Sequence, residues 1–383
     1  AKDRAAILEA LDSGKWNRHT GSKVDEFEKC FARMHPGTSC VTITNGTVAL
    51  ELALRACDIG VTDEVIVPPY SFVATATAVL MNGALPVFVD IDPETYCIDP
   101  AKIESAITPR TKAIMPVHFA GGVADMAAIN DIASRHNLFV IEDACQAHLA
   151  EWNSLRVGTL GDMGCFSFQA SKNINSGEGG AVISKNRDLL EKCYSIHTCG
   201  RQRGGIWYQH KYLGTNARIT EFQGALLLSQ ISRAEEQADI RQDNAEYLAD
   251  KIAGEFGLSV LGKYPSVTCH AYHLFVIRYD PGKFNGLSRA DFIEGLRSRG
   301  IPSKPGYVPL HKEGYLRDAF SSATFKRVYS EADIKDYFGR IDCPVTERVC
   351  TEESLWLPQN LLLGSREDMD YIISAIKEIH ETS

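Results

Sequence analysis

The sequence predicts an α/β protein whose large domain is built on a mostly parallel sheet. Short apolar runs alternate with helix-like segments up to residue 143, a close pair of apolar runs follows at 164–184, and the remainder mixes strand and helix patterns irregularly. Continuous apolar strands that alternate with helices are typical of a parallel sheet covered on both faces. Because 383 residues exceed one ordinary core, we expect a large domain over 1–245 and a smaller C-terminal α+β domain over 246–383.

The elements of the first half follow from hydrophobic periodicity. Residues 1–35 are predicted to form two short helices, because apolar residues recur at helical spacing in each. A strand that begins at Val41 leads through a small polar turn into a helix rich in Ala and Leu. The later predicted strands are 64–67, 86–91, 113–118 and 139–143, and the predicted helices between them are 72–81, 100–107 and 123–136. Ligands of such sheets bind at the carboxyl ends of the strands, so we expect the polar residues there to form a site.

The second half is less regular. A Gly/Arg-rich loop is predicted at 200–216, and residues 220–255 indicate either one long helix or a broken pair of helices. The other predicted helices are 187–197, 288–299 and 366–380, with a strand at 273–279. Residues 303–365 show no pattern that predicts individual elements.

Composition excludes several classes of protein. The net charge of −9 and the lack of a Lys/Arg block argue against a nucleic-acid-binding surface. No apolar run reaches the ~18 residues needed to span a bilayer, and the N-terminus reads as a charged amphipathic helix rather than a signal peptide. The 11 cysteines are an odd, scattered set, which favours a reducing compartment over a disulfide scaffold or a zinc site. We therefore expect a soluble cytoplasmic protein without a metal, nucleic-acid or membrane partner.

A single lysine stands between the two apolar runs of the predicted hairpin. Lys172 follows the run that contains Cys165, Phe166 and Phe168, and it precedes a glycine-rich turn at 177–180. A lysine held between strands is partly desolvated, which lowers its pKa toward the range where the amine is nucleophilic. An enzyme that forms a Schiff base with an aldehyde cofactor needs such an amine. The alternative is an ordinary surface lysine on a hairpin.

Four further places in the chain carry polar or aromatic side chains near strand ends. Gly46 and Thr47 open a helix, where exposed N–H groups and a hydroxyl can bind an anion, although they can also be a simple cap. Asp143 can cap the next helix or pair with a protonated ring nitrogen. Phe72 is either a core residue or a residue that stacks on a flat cofactor ring. Ser167 is either an anion ligand or simply a strand serine.

These features occur in the order found in the large pyridoxal-phosphate aminotransferase fold, and the match extends to whole motifs. The motifs are TNGTVAL (44–50), PYSFVATA (69–76), PVFVDID (86–92), IEDACQAH (141–148), FSFQASKNINSGEGG (166–180), LGTNARITEFQ (213–223) and VPLH (308–311). They resemble the DegT/StrS family of sugar aminotransferases over roughly residues 5–380. The resemblance implies the PLP-dependent transferase fold of type I, as in aspartate aminotransferase, with a seven-stranded type of sheet in the large domain.

The resemblance also implies roles for individual residues. Lys172 would form the Schiff base with pyridoxal 5'-phosphate and carry a proton between substrate and cofactor. Asp143 would keep the pyridine nitrogen protonated, Gln146 would lie near the phenolic oxygen, and Phe72 would stack on the ring.

Other implied roles concern the phosphate and the substrate. Gly46, Thr47 and Ser167 would hold the cofactor phosphate. Asn216 would reach the phosphate of a neighbouring subunit, so that the active sites are shared in a homodimer. His311 would lie near the sugar-binding loop.

The implied reaction is transfer of an amino group from glutamate or glutamine to a keto-sugar or keto-cyclitol. Related dehydratases carry histidine at the position of Lys172, so the lysine favours transamination. The stretches 95–100, 109–121 and 136–143 resemble the branch that acts on scyllo-inosose or makes aminohydroxybenzoate. The loop 200–210 contains two arginines and the pair Trp207–Tyr208. It could bind a nucleotide diphosphate or pack at a dimer interface.

Three other interpretations remain. A dehydrogenase would need a Gly-x-Gly-x-x-Gly turn, which the segment 44–49 does not provide. A non-catalytic regulatory homologue is disfavoured by intact Lys172 and Asp143. Other pyridoxal-phosphate chemistry, such as dehydration or aromatisation of a sugar or cyclitol, is the remaining alternative.

Overall fold

The computed structural model describes residues 1–206 and 208–383. Its α-helices, in chain order, are α1 Lys2–Asp12, α2 Lys23–Met34, α3 Gly46–Ala56, α4 Ala74–Met81, α5 Pro100–Ile103, α6 Met126–His136, α7 Arg187–His197, α8 Glu221–Ile231, α9 Ala234–Phe256, α10 Arg289–Ser298, α11 Gly314–Ser321, α12 Ala323–Val328, α13 Glu331–Gly339, α14 Pro344–Arg348 and α15 Arg366–Thr382. Its strands are β1 Ser39–Ile43, β2 Glu64–Val67, β3 Leu85–Phe88, β4 Thr111–Ile114, β5 Phe139–Asp143, β6 Glu151–Trp152, β7 Leu155–Arg156, β8 Met163–Ser167, β9 Gly180–Ser184, β10 Ser259–Val260, β11 Val267–Cys269, β12 Leu274–Arg278 and β13 Ser354–Pro358.

Seven strands form the central sheet, in the order β1-β9-β8-β5-β4-β2-β3. Neighbouring strands from β8 to β3 are all parallel. β9 runs antiparallel to both of its neighbours, β8 and β1. The predicted mostly parallel sheet is therefore confirmed, and the two apolar runs at 164–184 form an antiparallel hairpin with a long connection.

Helices cover both faces of this sheet. On one face, two aromatic residues of α2, Phe27 and Phe31, pack edge-on against Phe168 with ring centroids 5.4 and 5.6 Å apart. On the other face, α3 and α4 bury small and branched side chains such as Leu50, Ala53 and Val79. Because both faces are covered, the strands carry the continuous apolar runs that predicted them.

The segment 303–365, which has no predicted elements, folds largely against the second face. Leu316, Phe320 and Tyr337 from α11 and α13 are buried in the same apolar cluster as α3 and α4. The Tyr337 hydroxyl donates to the carbonyl of Pro86 in β3, at 2.8 Å. These helices have only six to nine residues, and their packing partners are distant in sequence, so periodicity over a window of 11–18 residues cannot reveal them.

A second, three-stranded sheet, β10-β12-β13, lies in the C-terminal part of the chain. It packs with α10 and α15 around buried residues such as Phe275, Phe292 and Ile376. The predicted division at 245/246 falls inside α9. The first half of this helix joins the core of the central sheet, and its second half joins the core of the C-terminal sheet. The division into 1–245 and 246–383 remains a prediction.

Several predicted elements differ in detail from the observed ones. Residues 220–255 form a broken pair, α8 and α9, and the helix predicted at 187–197 has those bounds. The apolar residues that predicted α1 include Ile7 and Leu11, which are 38% and 46% exposed, so the pattern indicates the helix but not its burial in this chain. In the part of the chain that is described, no helix combines the length and apolar character needed to cross a membrane.

Candidate active site

A cavity of about 970 Å³ lies at the carboxyl ends of the central strands. One wall is formed by residues that follow β1, β2, β5 and β8. The opposite wall comes from the start of β12, the end of α10, the loop after α10 and the end of β13. The cavity brings together most of the predicted site residues: Gly46, Thr47, Phe72, Asp143, Gln146, Ser167 and Lys172.

Helix α3 begins at the cavity wall. Asn45 caps it, because its side-chain oxygen accepts a hydrogen bond from the Val48 N–H at 2.9 Å. The N–H groups of Gly46 and Thr47 belong to the first turn, where a helix has no acceptor for them and its dipole is positive. A side chain at position 46 would place its Cβ 2.7 Å from the Cβ of Ser167. Glycine is therefore required here, and the resulting arrangement suits an anion.

Asp143 is fixed at the end of β5 by hydroxyl groups. The Thr75 hydroxyl donates to Asp143 Oδ2 at 2.8 Å, and the Ser71 hydroxyl lies 2.8 Å from that of Thr75. Asp143 Oδ1 accepts a longer bond of 3.3 Å from the Cys145 N–H. The carboxylate is only 5% exposed, so it is oriented and shielded from bulk water. It can serve as the partner of a cationic ring nitrogen in the cavity.

The residue before Asp143 holds β5 from the opposite face. The Glu142 carboxylate accepts three backbone N–H bonds of 2.6–2.7 Å from the segment 158–161. His118 Nε2 lies 2.9 Å from the same carboxylate. Because successive strand residues point to opposite faces, this network anchors the strand while Asp143 faces the cavity. His118, at a predicted strand end, therefore supports the strand that carries Asp143.

Lys172 lies in the connection between β8 and β9. A backbone hydrogen bond of 2.9 Å from Ala170 to Gly177 closes this connection. The Lys172 side chain is half-buried and lines the cavity. Desolvation lowers the pKa of the Lys172 amine, although nearby Cys145 and Asp143 act in the opposite direction. A larger fraction of unprotonated, nucleophilic amine results.

His273 is a cavity residue that the sequence analysis missed. It precedes β12, it is 6% exposed, and its Nε2 lies 3.4 Å from Lys172 Nζ. Desolvation lowers the pKa of His273 well below its ordinary value, and the nearby Lys172 charge adds to this effect. One sequence signal could have identified His273. It is a polar residue directly before the apolar run 274–277, at the point where a strand enters a core.

Tyr307 brings the opposite wall into contact with a predicted site residue. Gln146 Nε2 lies 3.2 Å from the Tyr307 hydroxyl, and Gln146 Oε1 accepts the Ala120 N–H at 2.9 Å. Burial raises the pKa of Tyr307 to about 12, so its hydroxyl stays protonated at neutral pH. With its oxygen accepting from Gln146, the hydroxyl proton can be donated toward the cavity.

Gln359 is held by a buried cation behind the wall. Its Oε1 accepts a hydrogen bond of 2.8 Å from Nε of Arg241, which is 2% exposed. The Gln359 amide NH₂ is therefore the donor that can face the cavity. Arg297 and Lys304 add two cations to the same wall. This wall can bind hydroxyl or carboxylate groups.

Phe72 lines the cavity and is 53% exposed. An aromatic side chain that is not packed into the core leaves its ring available to a planar ligand. Helix α4 begins at Ala74 rather than at the predicted position 72, so Phe72 lies in the loop before it.

Asn216 and His311 lie outside the lining of this cavity. Asn216 is exposed and pairs with Thr198 through an isolated antiparallel bridge. His311 is buried, with its Nε2 3.1 Å from Glu347. Their predicted roles at a neighbouring phosphate and at the sugar therefore stay predictions.

The Gly/Arg-rich loop lines a smaller cavity of about 280 Å³ together with His19 and Tyr194. The Arg203 guanidinium stacks over Tyr194 at 3.8 Å from the ring centroid and pairs with Glu191 at 2.9 Å. Trp207, part of the predicted aromatic pair, lies outside the described residues. A role in nucleotide binding or at an interface remains a prediction.

Comparison with known proteins identifies relatives along the whole chain. Residues 1–377 match the DegT/DnrJ/EryC1/StrS aminotransferase family. The L-glutamine:2-deoxy-scyllo-inosose aminotransferase of Streptoalloteichus tenebrarius is 36% identical, over 98% of this chain and 91% of that protein. The crystal structure of 3-amino-5-hydroxybenzoic acid synthase has a TM-score of 0.89 and 32% identity, and the match covers 100% of this chain and 97% of that one.

A further structural relative carries a cofactor. NtdA from Bacillus subtilis, solved with bound cofactor PMP, has a TM-score of 0.82 and 27% identity, over 99% of this chain and 81% of that one. The fold type and the resemblance stated from the motifs are thus confirmed. This chain belongs to the DegT/DnrJ/EryC1/StrS aminotransferase family.

Proposed function

We propose that this protein is a pyridoxal-phosphate-dependent aminotransferase that transfers the amino group of glutamine to a keto-cyclitol. Glutamate is the alternative donor, and a nucleotide-linked keto-sugar is the alternative acceptor. The observation that carries the proposal is the Lys172 amine, half-buried and of lowered pKa, in one cavity with Asp143 and the start of α3. The scyllo-inosose aminotransferases among the relatives support the choice of donor and acceptor.

The residues of the cavity fit pyridoxal phosphate. Gly46, Thr47 and Ser167 offer N–H and hydroxyl donors to a phosphate, and Asp143 offers a buried carboxylate to the pyridine nitrogen. Phe72 offers an exposed ring face. When bound, the cofactor supplies an electron sink for the substrate carbon.

Gln146 fits its predicted position near the phenolic oxygen of the cofactor, with Tyr307 as a neighbouring group. Its Oε1 accepts from the Ala120 N–H and one Nε2–H points to the Tyr307 hydroxyl, so the second Nε2–H and the Tyr307 hydroxyl are both donors for a phenolic oxygen. We therefore include Tyr307 beside Gln146 in the proposed cofactor site.

The chain's own contribution to the reaction is positioning and proton transfer. Lys172 supplies an amine that can take a proton from one carbon and return it to another, which is general acid–base catalysis. Thr75 keeps the Asp143 carboxylate oriented. The cations Arg297 and Lys304 on the opposite wall would attract the carboxylate of an amino-acid donor.

Addition of glutamine to the protein loaded with pyridoxal phosphate should convert its visible absorption band into that of the pyridoxamine form. Glutamine should react at least about ten times faster than asparagine, because a site shaped for the longer chain loses roughly 1–3 kcal/mol when a methylene is missing. The measurement is stopped-flow absorbance with glutamine, glutamate and asparagine.

Three outcomes would change the proposal. Faster conversion by glutamate would change the assigned donor. A product with aromatic absorption after addition of an aminocyclitol substrate would favour the synthase-type reaction named for one structural neighbour. A spectrum that no amino donor alters would indicate a non-catalytic homologue.

We also propose a homodimer with shared sites, and Asn216 is its test. Asn216→Ala should weaken cofactor affinity about 10-fold to 100-fold, because a hydrogen bond to a charged group contributes roughly 1.5–3 kcal/mol. Cofactor retention after gel filtration and the molar mass from light scattering are the measurements. Gln209→Ala, another exposed amide of the same loop, is the control. Unchanged affinity in a confirmed dimer would contradict the shared site.

A further inference from the structure

A histidine from the C-terminal part of the chain lies beside the Lys172 amine. His273 Nε2 lies 3.4 Å from Lys172 Nζ, although the two residues are 101 positions apart in sequence. His273 lines the cavity and is 6% exposed, so bulk water has little access to it. A buried imidazole beside an amine can hold that amine in one orientation through a hydrogen bond.

The neighbouring residue Asn173 determines which nitrogen of His273 carries hydrogen. Asn173 Nδ2 donates to the Ala271 carbonyl at 2.7 Å, which identifies its Oδ1 as the oxygen that faces His273 Nδ1 at 3.3 Å. An oxygen accepts, so His273 Nδ1 must be the N–H donor. Nε2 of the neutral ring is then an unprotonated acceptor, and it faces Lys172.

The charged surroundings of His273 keep the ring neutral. The titratable and charged groups around it are Lys172 in the β8–β9 connection, His148 after β5 and Arg241 on α9. Burial and these positive neighbours all disfavour an imidazolium. The ring therefore presents a lone pair to the lysine across the pH range of enzyme function.

We propose that His273 is a positioning residue for Lys172, whose amine it holds in place by accepting a hydrogen bond at Nε2. The catalytic role of the His273–Lys172 hydrogen bond rests on the proposed function, but the hydrogen bond itself does not.

The test measures Lys172 directly in the full-length protein without cofactor. Wild type and variants are labelled with acetic anhydride at a series of pH values, and acetylation of Lys172 is quantified by mass spectrometry. His273→Met should lower the pH midpoint of labelling by about one unit or more, because the ammonium form loses an acceptor. His273→Gln should restore the midpoint, because its amide oxygen can accept.

His148→Met is the matched control. His148 is 2% exposed, packs against Phe166 and Phe168, and lies close enough to affect the Lys172 site electrostatically. In the part of the chain that the structure describes, His148 makes no hydrogen bond to Lys172. A wild-type midpoint in His273→Met, or an equal shift in His148→Met, would overturn the proposal.

A second measurement needs no apolar substitution. Long-range ¹H–¹⁵N spectra of histidine-labelled wild-type protein should show His273 as the neutral tautomer with Nδ1 protonated, its signals assigned by their absence in His273→Gln. An Nε2-protonated ring would overturn the proposal even if His273→Met failed to fold.

The loaded enzyme provides the catalytic readout. His273→Met should lower kcat by about 10²-fold, as for misplacement of a catalytic group, with little change in KM for glutamine, and His273→Gln should recover part of it. If the wild type shows no amino transfer, the proposed function fails while the labelling midpoints and tautomer still decide the pairing. A shift in labelling with unchanged kcat would remove the catalytic role.

Discussion

Lys172→Ala should reduce kcat for amino transfer by on the order of 10⁴-fold or more. The variant loses both the amine that would bond to the cofactor aldehyde and the group that would carry the substrate proton, and loss of a nucleophile that also handles protons has effects of this size. Because each factor of ten corresponds to about 1.4 kcal/mol, the expected loss of transition-state stabilisation exceeds about 5 kcal/mol.

The fold should survive this substitution. The Lys172 amine is half-buried and its pKa is lowered by desolvation, so the charged form contributes unfavourably to folding at that position. We expect an unchanged circular dichroism spectrum and a Tm no lower than that of wild type. Single-turnover absorbance with glutamine and thermal unfolding are the paired measurements.

Two control variants distinguish the loss of the nucleophilic amine from the loss of a positive charge. Lys172→Arg keeps a cation but not a nucleophilic amine, and it should be as inactive as Lys172→Ala. Lys185→Ala removes an exposed lysine just beyond β9 and should leave kcat unchanged. Substantial amino transfer by Lys172→Ala would contradict the assignment of this residue.

The strands of the central sheet could be predicted because most of them are marked by a short run of apolar residues that are neighbours in sequence. The apolar run 138–141 lies between Asn137 and Glu142, and the strand predicted at 139–143 is observed as β5 with those bounds. The opposite case is the segment 310–343, where short helices place Phe320 and Tyr337 against the core of a distant sheet. Nothing in the sequence around Tyr337 identifies Pro86 as its hydrogen-bond partner.

The candidate site likewise contains residues that could be predicted from the sequence and residues that could not. Glycines, hydroxyls and the lysine occur in compact motifs that each follow one strand, so the sheet brings Gly46, Asp143 and Lys172 to one edge. His273 and Tyr307 come from the second wall and meet these residues only through tertiary packing. Tyr307 has no periodic or motif signal, and the signal for His273 is limited to its place directly before an apolar run, because the contact joins residues that are distant in sequence.

The position of Asp143 also depends on residues that sequence reasoning did not select. Glu142 looks like an ordinary acid beside it, yet it is fully buried and binds three backbone N–H groups. Thr75 looks like a helix residue, yet its hydroxyl orients the carboxylate. The end of β5 at Asp143 therefore has one support on each face of the strand.

Asp143→Asn should lower kcat by about 10²-fold to 10³-fold, the usual effect of removing one preorganised electrostatic partner. The neutral amide has nearly the same shape but no negative charge, so it cannot stabilise a protonated pyridine nitrogen. Because the amide oxygen can still accept from the Thr75 hydroxyl, the free energy of unfolding should change little. Cofactor affinity, kcat with glutamine and urea denaturation are to be measured together.

Thr75→Val is the control that distinguishes charge from orientation. It removes the 2.8 Å hydrogen bond to Asp143 Oδ2 and retains the carboxylate, so we expect a loss of kcat of about 10-fold, from a single hydrogen bond to a charged group. If Asp143→Asn kept the wild-type rate, the carboxylate would serve only to anchor the strand end. If Thr75→Val equalled Asp143→Asn, orientation rather than charge would dominate, and the assignment of Asp143 to the ring nitrogen would lose its support.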